Sequence, residues 1–275
     1  MLRYKIEKNK IIIPSREEFV PQHILECGQV FSFSKEGDVY KVFPLDKYAE
    51  IIEVGSGYEI ITKDVDFFVD YFDLKTDYSL LKQKLGQFNI LKKPLKFGNG
   101  IRILKQDLFE TVLSFIISAN NNIKRIQLIL GRLRERLGQK CGDVYAFPSY
   151  EKLKTQSEQF FKDVGAGYRA SYLYKVLRQI TPETLKLWEV LDTATLRKQL
   201  LTLQGVGPKV ADCILLFGYG RGDVFPVDTW IAQMYNQYYS PLENREKIRG
   251  ALVEEFGQLS GYAQQYLFYY QRSGQ

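Results

Sequence analysis

Histidine and cysteine are nearly missing from this sequence, with one His and three Cys in 275 residues. Cys27, Cys141 and Cys213 are far apart, odd in number and without C-x-x-C spacing. Cysteine alone therefore builds neither a disulfide framework, a zinc site nor a four-Cys iron–sulfur cluster. The lone His23 excludes metal sites that need several imidazoles, and it is expected to be structural. Acid–base and nucleophilic work falls to Lys, Asp, Glu, Ser or Tyr. Long apolar runs are missing as well: nothing approaches the roughly 20 residues of a membrane span, so no membrane partner is expected. The opening MLRYKIEKNKIIIPSREEF mixes charge with a single apolar triplet and lacks the features of a secretory leader, which makes a cytoplasmic location the expectation.

What is present is a globular composition, 45% hydrophobic and 25% charged, long enough for one large or two modest domains. The 38 Lys and Arg outnumber the 32 Asp and Glu, and the excess is uneven. Before residue 101 there are 15 basic and 15 acidic residues, and after it 23 and 17, so the whole net charge of +6 lies in the second part. That distribution suits a face that contacts a polyanion, which charge alone favours only modestly over an ordinary solvated surface.

Residues 1–97 alternate in the manner of strands in KIIIP, QVFSFSKEGDVYKVF, YAEIIEV and YEIIT, with Gly-containing turns between them. Residues 65–88 change to helical spacing, and KKPLKFGNG, with Pro94, Gly98 and Gly100, reads as a linker. From Ile101 the helical period dominates: Leu108, Val112, Phe115 and Ile116 form a stripe that stops at Asn120, Asn121 and Asn122, and further helices are expected near 171–180, 193–203, 209–217, 229–239, 244–256 and 261–272. The fold class is α+β, with an antiparallel sheet domain and a few helices over 1–97 followed by an all-helical domain over 98–275.

The most specific stretch is LLTLQGVGPKVADCILLFGYGRGDVFPVDTW. A helix ends at Gln204, Gly205-Val206-Gly207 makes a turn, Pro208 opens the next helix and Lys209 falls in its first turn, which describes a helix-hairpin-helix. Its glycines let backbone approach a phosphate, and its free N–H groups bind one without reading sequence. The partial positive charge of a helix start disfavours an ammonium there and helps a neutral, nucleophilic amine form at Lys209; the ordinary alternative is a surface lysine on a phosphate. Asp228, 19 residues on, reads as a helix cap or as a carboxylate near developing positive charge.

This hairpin, with Lys209 in GVGPKVADC and Asp228 in FPVDTW, resembles the helix-hairpin-helix, Gly/Pro-Asp superfamily of DNA glycosylases, and within it the 8-oxoguanine DNA glycosylases. CGQVFSF, LSFIISANNNIKRI, GAGYRASY and GYAQQYLFYY extend the likeness in the family's order over nearly the whole chain. The missing four-Cys cluster separates it from the endonuclease III and adenine-glycosylase branches.

The resemblance implies that Lys209 attacks the sugar C1′, expels the base and forms a Schiff base whose β-elimination nicks the strand, while Asp228 stabilises oxocarbenium-like charge. A bifunctional enzyme follows, acting on double-stranded DNA that contains 8-oxoguanine, without metal or cofactor, as a monomer, and on the nucleoid if the source is prokaryotic. Flipping the base leaves a hole. The family pattern has Asn120 fill it, Tyr168 wedge between neighbouring bases, and Arg125 and Arg169 read the orphaned cytosine; the ordinary readings are helix capping, core packing and phosphate contact. In the base pocket the Gly28 carbonyl accepts from the protonated N7 of the oxidised base, Cys213 and Phe268 sandwich the ring, and Gln264 reads its Watson–Crick edge; for Cys213 and Phe268 core packing is the alternative. Trp230 departs from the family, where a His is common two residues after the Asp. Other functions compatible with the sequence are a helix-hairpin-helix glycosylase for another lesion, such as an alkylated purine, and a noncatalytic module that uses the hairpin as a phosphate clamp.

Overall fold

Strand-forming alternation early in the chain produces a six-stranded sheet in the computed structural model, which describes residues 2–273. Its strands are β1 (Lys5–Glu7), β2 (Lys10–Ile13), β3 (Phe33–Glu36), β4 (Val39–Val42), β5 (Ala49–Val54) and β6 (Gly57–Ile61), ordered β1-β2-β6-β5-β4-β3. The β1–β2, β2–β6 and β5–β6 pairs are antiparallel. In β2 the period of two buries Ile11 and Ile13 and turns Lys10 and Ile12 outward. Helices α1 (Pro21–Leu25), α2 (Val65–Tyr71), α3 (Tyr78–Leu85) and α4 (Lys92–Phe97) accompany the sheet. Asp77 starts α3 by accepting from the N–H groups of Ser79 and Leu80.

The segment expected to be a linker is α4. Pro94 falls in its first turn, where an N–H has no intrahelical acceptor to lose. The glycines serve close packing: a Cβ on Gly98 would lie 2.6 Å from Ile101 Cδ1, and one on Gly100, at φ +92°, would lie 2.5 Å from Val20 Cγ2.

The chain then builds α5 (Leu108–Ser118), α6 (Ile123–Leu137), a two-stranded ribbon of β7 (Lys140–Cys141) and β8 (Val144–Tyr145), α7 (Tyr150–Lys154), α8 (Glu158–Asp163), α9 (Arg169–Gln179), α10 (Pro182–Leu187), α11 (Thr193–Leu201) and α12 (Pro208–Phe217). Asp107, Asn122, Ser149, Ser157, Thr181 and Asp192 cap six of these helices with side-chain oxygens. The last elements are α13 (Thr229–Tyr238), α14 (Arg245–Phe256) and α15 (Ser260–Ser273). No described helix is long and apolar enough to cross a membrane.

The α+β class is as expected, but the packing does not divide the chain at residue 97. One compact unit holds the chain up to Lys41, Ala49–Lys105 and everything from Arg221 on; the other holds Val42–Tyr48 and Gln106–Gly220. The physical reason is a shared core in which Leu85, Leu91 and Ile101 pack with Ile231, Met234, Leu252, Phe256, Tyr266 and Leu267, so the last three helices belong with the sheet.

Within this first unit Arg102 is fully buried and spends its guanidinium on backbone. Nε donates to Phe72 O (3.0 Å), Nη1 to Glu18 O (3.1 Å), and Nη2 to Asp73 O (2.5 Å) and Thr76 O (2.9 Å), above the Tyr78 ring at 4.1 Å. Gln29 continues the network by donating to Ile24 O and Arg102 O and accepting from Leu104 N. Replacing Arg102 by Met leaves four carbonyls, two of them buried and two half-buried, without their donor, and urea unfolding of Arg102→Met is expected to show a loss of about 3 kcal/mol or more. A loss under about 1 kcal/mol would show that the network is not a structural keystone.

Candidate active site

The second unit carries the hairpin. Leu203 O accepts from Val206 N at 3.1 Å to close the turn, and α12 starts on Pro208. Gly205 has φ +84°, and a Cβ there would stand 2.7 Å from the Tyr172 ring, so only glycine fits. A Cβ on Gly207 would meet open space. The two glycines therefore differ: one is required by the fold, the other leaves the surface bare.

Lys209 is half-buried in the first turn of α12, with Nζ 5.5 Å from the centroid of the Phe115 ring. Among the described residues no hydrogen-bond or ion-pair partner holds this amine. Asp212, three residues on and thus a natural helical neighbour, is bound by Arg197 through Nε (2.7 Å) and Nη2 (3.2 Å). Cys213, 3% exposed, lies one turn after Lys209.

The four residues expected at the flipped-out gap come together in this unit. Asn120 is exposed and adopts φ +49°, and the capping role falls instead to Asn122, whose Oδ1 accepts from Arg125 N at 3.0 Å. Tyr168 is 54% exposed, donates from its hydroxyl to Ala119 O at 3.2 Å and meets the Tyr172 ring edge-on at 5.7 Å. It is not a core residue. Arg125 is exposed and, among the described residues, its guanidinium reaches only Gly165 O, at 3.5 Å, through Nη2.

Arg169 differs from Arg125: at 3% exposure, Nε donates to Ala119 O (2.8 Å) and Nη2 to Ala119 O (2.5 Å) and Asn120 O (2.7 Å). Desolvation lowers its pKa. The guanidinium thus holds the loop that carries Asn120. A concavity of about 340 Å³, lined by Ala119, Tyr168, Tyr172 and residues 204–207, joins this loop to the hairpin.

The first unit carries the remaining residues. Asp228 caps α13, with Oδ1 accepting from Ile231 N at 2.9 Å, so the ordinary reading of this residue is realised and fixes the carboxylate. Trp230, in the first turn after it, is 38% exposed. Gly28 has φ +83°, and a Cβ there would lie 3.1 Å from both Phe268 Cε1 and Arg272 Nη1. Gln265 Nε2 donates to Cys27 O at 2.8 Å and holds that segment to α15. Gln264, one turn before Phe268, is 5% exposed and its Oε1 has no hydrogen-bond partner among the described residues. His23 is structural, as expected: Nδ1 lies 2.6 Å from Asn99 O, and burial lowers its pKa.

A family model described as HhH-GPD superfamily base excision DNA repair protein matches residues 113–258, more than half of the chain. The chain belongs to this superfamily. Residues 11–112 match the N-terminal domain of 8-oxoguanine DNA glycosylase, which places this HhH-GPD protein in that family. An 8-oxoguanine glycosylase/lyase of Clostridium acetobutylicum, solved with double-stranded DNA containing cytosine opposite 8-oxoG, is 38% identical with a TM-score of 0.92 over 100% of this chain and 98% of that one. An N-glycosylase/DNA lyase of Arabidopsis thaliana is 34% identical over 74% of this chain and 60% of its own length; a probable N-glycosylase/DNA lyase of Methanothermobacter thermautotrophicus is 32% identical over 73% and 71%. A 3-methyladenine DNA glycosylase of Archaeoglobus fulgidus, at 15% identity and TM-score 0.77, shares the fold alone.

Two positions in this HhH-GPD chain escape motif reading. Tyr172 is foreshadowed only by its spacing of four from Tyr168, and Gln265 by nothing, since its target is a backbone carbonyl. The contrast between the hairpin glycines gives a test: Gly205→Ala is expected to lower the thermal midpoint by about 4–8 °C, from roughly 2 kcal/mol of clash and strain, and Gly207→Ala to leave it within about 1 °C. Equal midpoints for the two variants would refute the distinction.

Proposed function

We propose that this protein is a bifunctional DNA repair glycosylase that flips out and excises 8-oxoguanine opposite cytosine and then nicks the abasic strand. The observation that carries this reading is Lys209: an amine without a partner among the described residues, placed in the first turn of the helix that follows a glycine hairpin. The hairpin turn and the excess of positive charge after residue 100 suit phosphate contact, which positions a duplex without reading its sequence. The protein works as a monomer, away from membranes.

In this mechanism Lys209 Nζ attacks C1′ of the flipped nucleotide. The C1′–N9 bond breaks, its electron pair leaves with the base, and the base takes up a proton. Loss of the amine proton and opening of the sugar ring give the Schiff base; removal of a C2′ proton then expels the 3′ phosphate. Asp228, fixed as a cap, stabilises positive charge on the sugar as the base departs. Tyr168 and Asn120 fill the gap, and Arg125, whose guanidinium makes only one long contact, reads the orphaned cytosine through charge-assisted donors. The Gly28 carbonyl, Gln264, Phe268 and Cys213 are the residues proposed to serve the base.

Borohydride reduction with duplex containing 8-oxoguanine opposite cytosine is expected to give a permanent crosslink in the wild type and none in Lys209→Gln. A crosslink that survives the substitution removes the lysine from the mechanism; excision of alkylated purines but not 8-oxoguanine reassigns the lesion. Arg125→Ala is expected to lower the preference for cytosine opposite the lesion by about tenfold, with maximal excision largely retained. An equal loss against all four opposite bases would remove Arg125 from that role.

A further inference from the structure

Helix α15 carries Gln264, Phe268 and Arg272 at spacings of four, on one face. Gln264 and Phe268 have roles in the reading above; Arg272 has none. Its Nη2 donates to Glu26 O, and its guanidinium carbon stands 5.2 Å from the centroid of the Phe268 ring. Nη1 is buried and has no hydrogen-bond partner among the described residues. The side chain of that same Glu26 turns its carboxylate to the Tyr40 hydroxyl, which donates to it at 2.6 Å. Buried guanidinium donors are normally satisfied, so an arm left open beside a functional glycine asks for an acceptor that arrives with a ligand.

The location defines that acceptor. Nη1 and the Phe268 ring edge both lie 3.1 Å from the point where a Gly28 Cβ would stand, and Gly28 is held at φ +83°. Gly28 contributes a carbonyl acceptor, Arg272 a donor next to it, and Phe268 a flat apolar face. An oxidised purine presents the complementary edge, an N7–H donor next to a C8 carbonyl acceptor. Undamaged guanine presents an N7 lone pair and a C8–H, which repels the carbonyl and leaves the guanidinium arm open.

We propose that Arg272 is a specificity-determining residue of the base pocket, with Nη1 donating to the exocyclic oxygen on C8 while Gly28 O accepts from the adjacent N7–H. This rests on the glycosylase reading above. Arg272 makes lesion recognition a two-point test of the oxidised edge, and its tether on Glu26 O fixes the donor before the base arrives. Phe268 stacks on the base with one face and borders the guanidinium, so closing the ring on the lesion also sets the donor.

The test changes each partner of the proposed contact in turn. Single-turnover excision is measured for 8-oxoguanine and for 8-thioguanine, which keeps N7–H but offers a weak sulfur acceptor, in wild type, Arg272→Met and Arg272→Lys; strand nicking at a preformed abasic site reports whether Lys209 and the fold are intact. Arg272→Met is expected to slow 8-oxoguanine excision by about 10- to 100-fold and 8-thioguanine excision by less than about threefold, with abasic nicking within about twofold. Arg272→Lys, which lacks the second arm of the fork, is expected to lose the same preference for oxygen. An unchanged ratio of the two rates in both variants, whether from equal losses or from none, would overturn the proposal and leave Arg272 a packing residue. If the wild type nicks abasic sites but excises neither base, the lesion assignment fails, and that result is read before either variant is compared.

Discussion

Backbone carbonyls, brought together from distant stretches of chain and satisfied by one guanidinium, are the constraint on which the first unit depends. Arg102 binds carbonyls at positions 18, 72, 73 and 76, and Asp73 holds φ +50° there, a conformation that is costly unless its surroundings fix it. The backbone of the same arginine is held by Gln29, whose neighbour is Gly28. Burying an unpaired guanidinium would be prohibitive, and burial lowers the Arg102 pKa even so. With every carbonyl in place the same charge becomes a clamp. The position of the Gly28 carbonyl is thus set by two layers of polar contacts behind it, Gln29 on one side and Gln265 on the other.

The second unit repeats the device at its surface. Arg169 binds the Ala119 and Asn120 carbonyls and stabilises a left-handed asparagine whose side chain is thereby exposed. Glycine would take this conformation at lower cost but would present nothing. Deeper in the unit, Arg134 pairs with the buried Glu110 at 2.6 Å, and Glu110 also accepts from Leu45 N at 3.1 Å, so the 42–48 segment is fastened to the helices. Each of these ionic groups is buried with its partners present, which is the only condition under which such burial is tolerable.

The residues that periodicity and capping chemistry govern were legible in the sequence. Six of the helices from Arg169 onward, all but α10, fall within about two residues of expectation because their stripes, caps and opening prolines act locally. The segment 92–100 was misread because Pro and Gly carry two meanings: Pro94 begins a helix as readily as it ends one, and Gly98 and Gly100 make room for Ile101 and Val20. The division of the chain was not legible, since an apolar stripe on α13 or α15 shows that a face is buried without saying that Leu85 and Leu91 cover it. At the site, Lys209, Asn120 and Tyr168 stand out because exposure, backbone conformation or placement is unusual for their type. The commitments of Arg169 and Gln265 to carbonyls leave no sequence trace, because every residue carries a carbonyl.

The scarcity of histidine and cysteine acquires its physical sense at Lys209. An amine serves as a nucleophile only if no carboxylate holds its charge, yet the chain has 32 acidic residues and one of them, Asp212, lies three positions away on the same helix. A lysine and an aspartate at that spacing ordinarily pair, and pairing would favour the ammonium. Arg197 intervenes by taking both carboxylate oxygens of Asp212 in a fork, with Asp212 itself 1% exposed. A lysine in that place would bind as a point charge and leave one oxygen free, whereas the planar guanidinium occupies the two oxygens together. The ion pair between α11 and α12 therefore does more than join two helices: it occupies the one carboxylate that lies at helical spacing from Lys209 on α12.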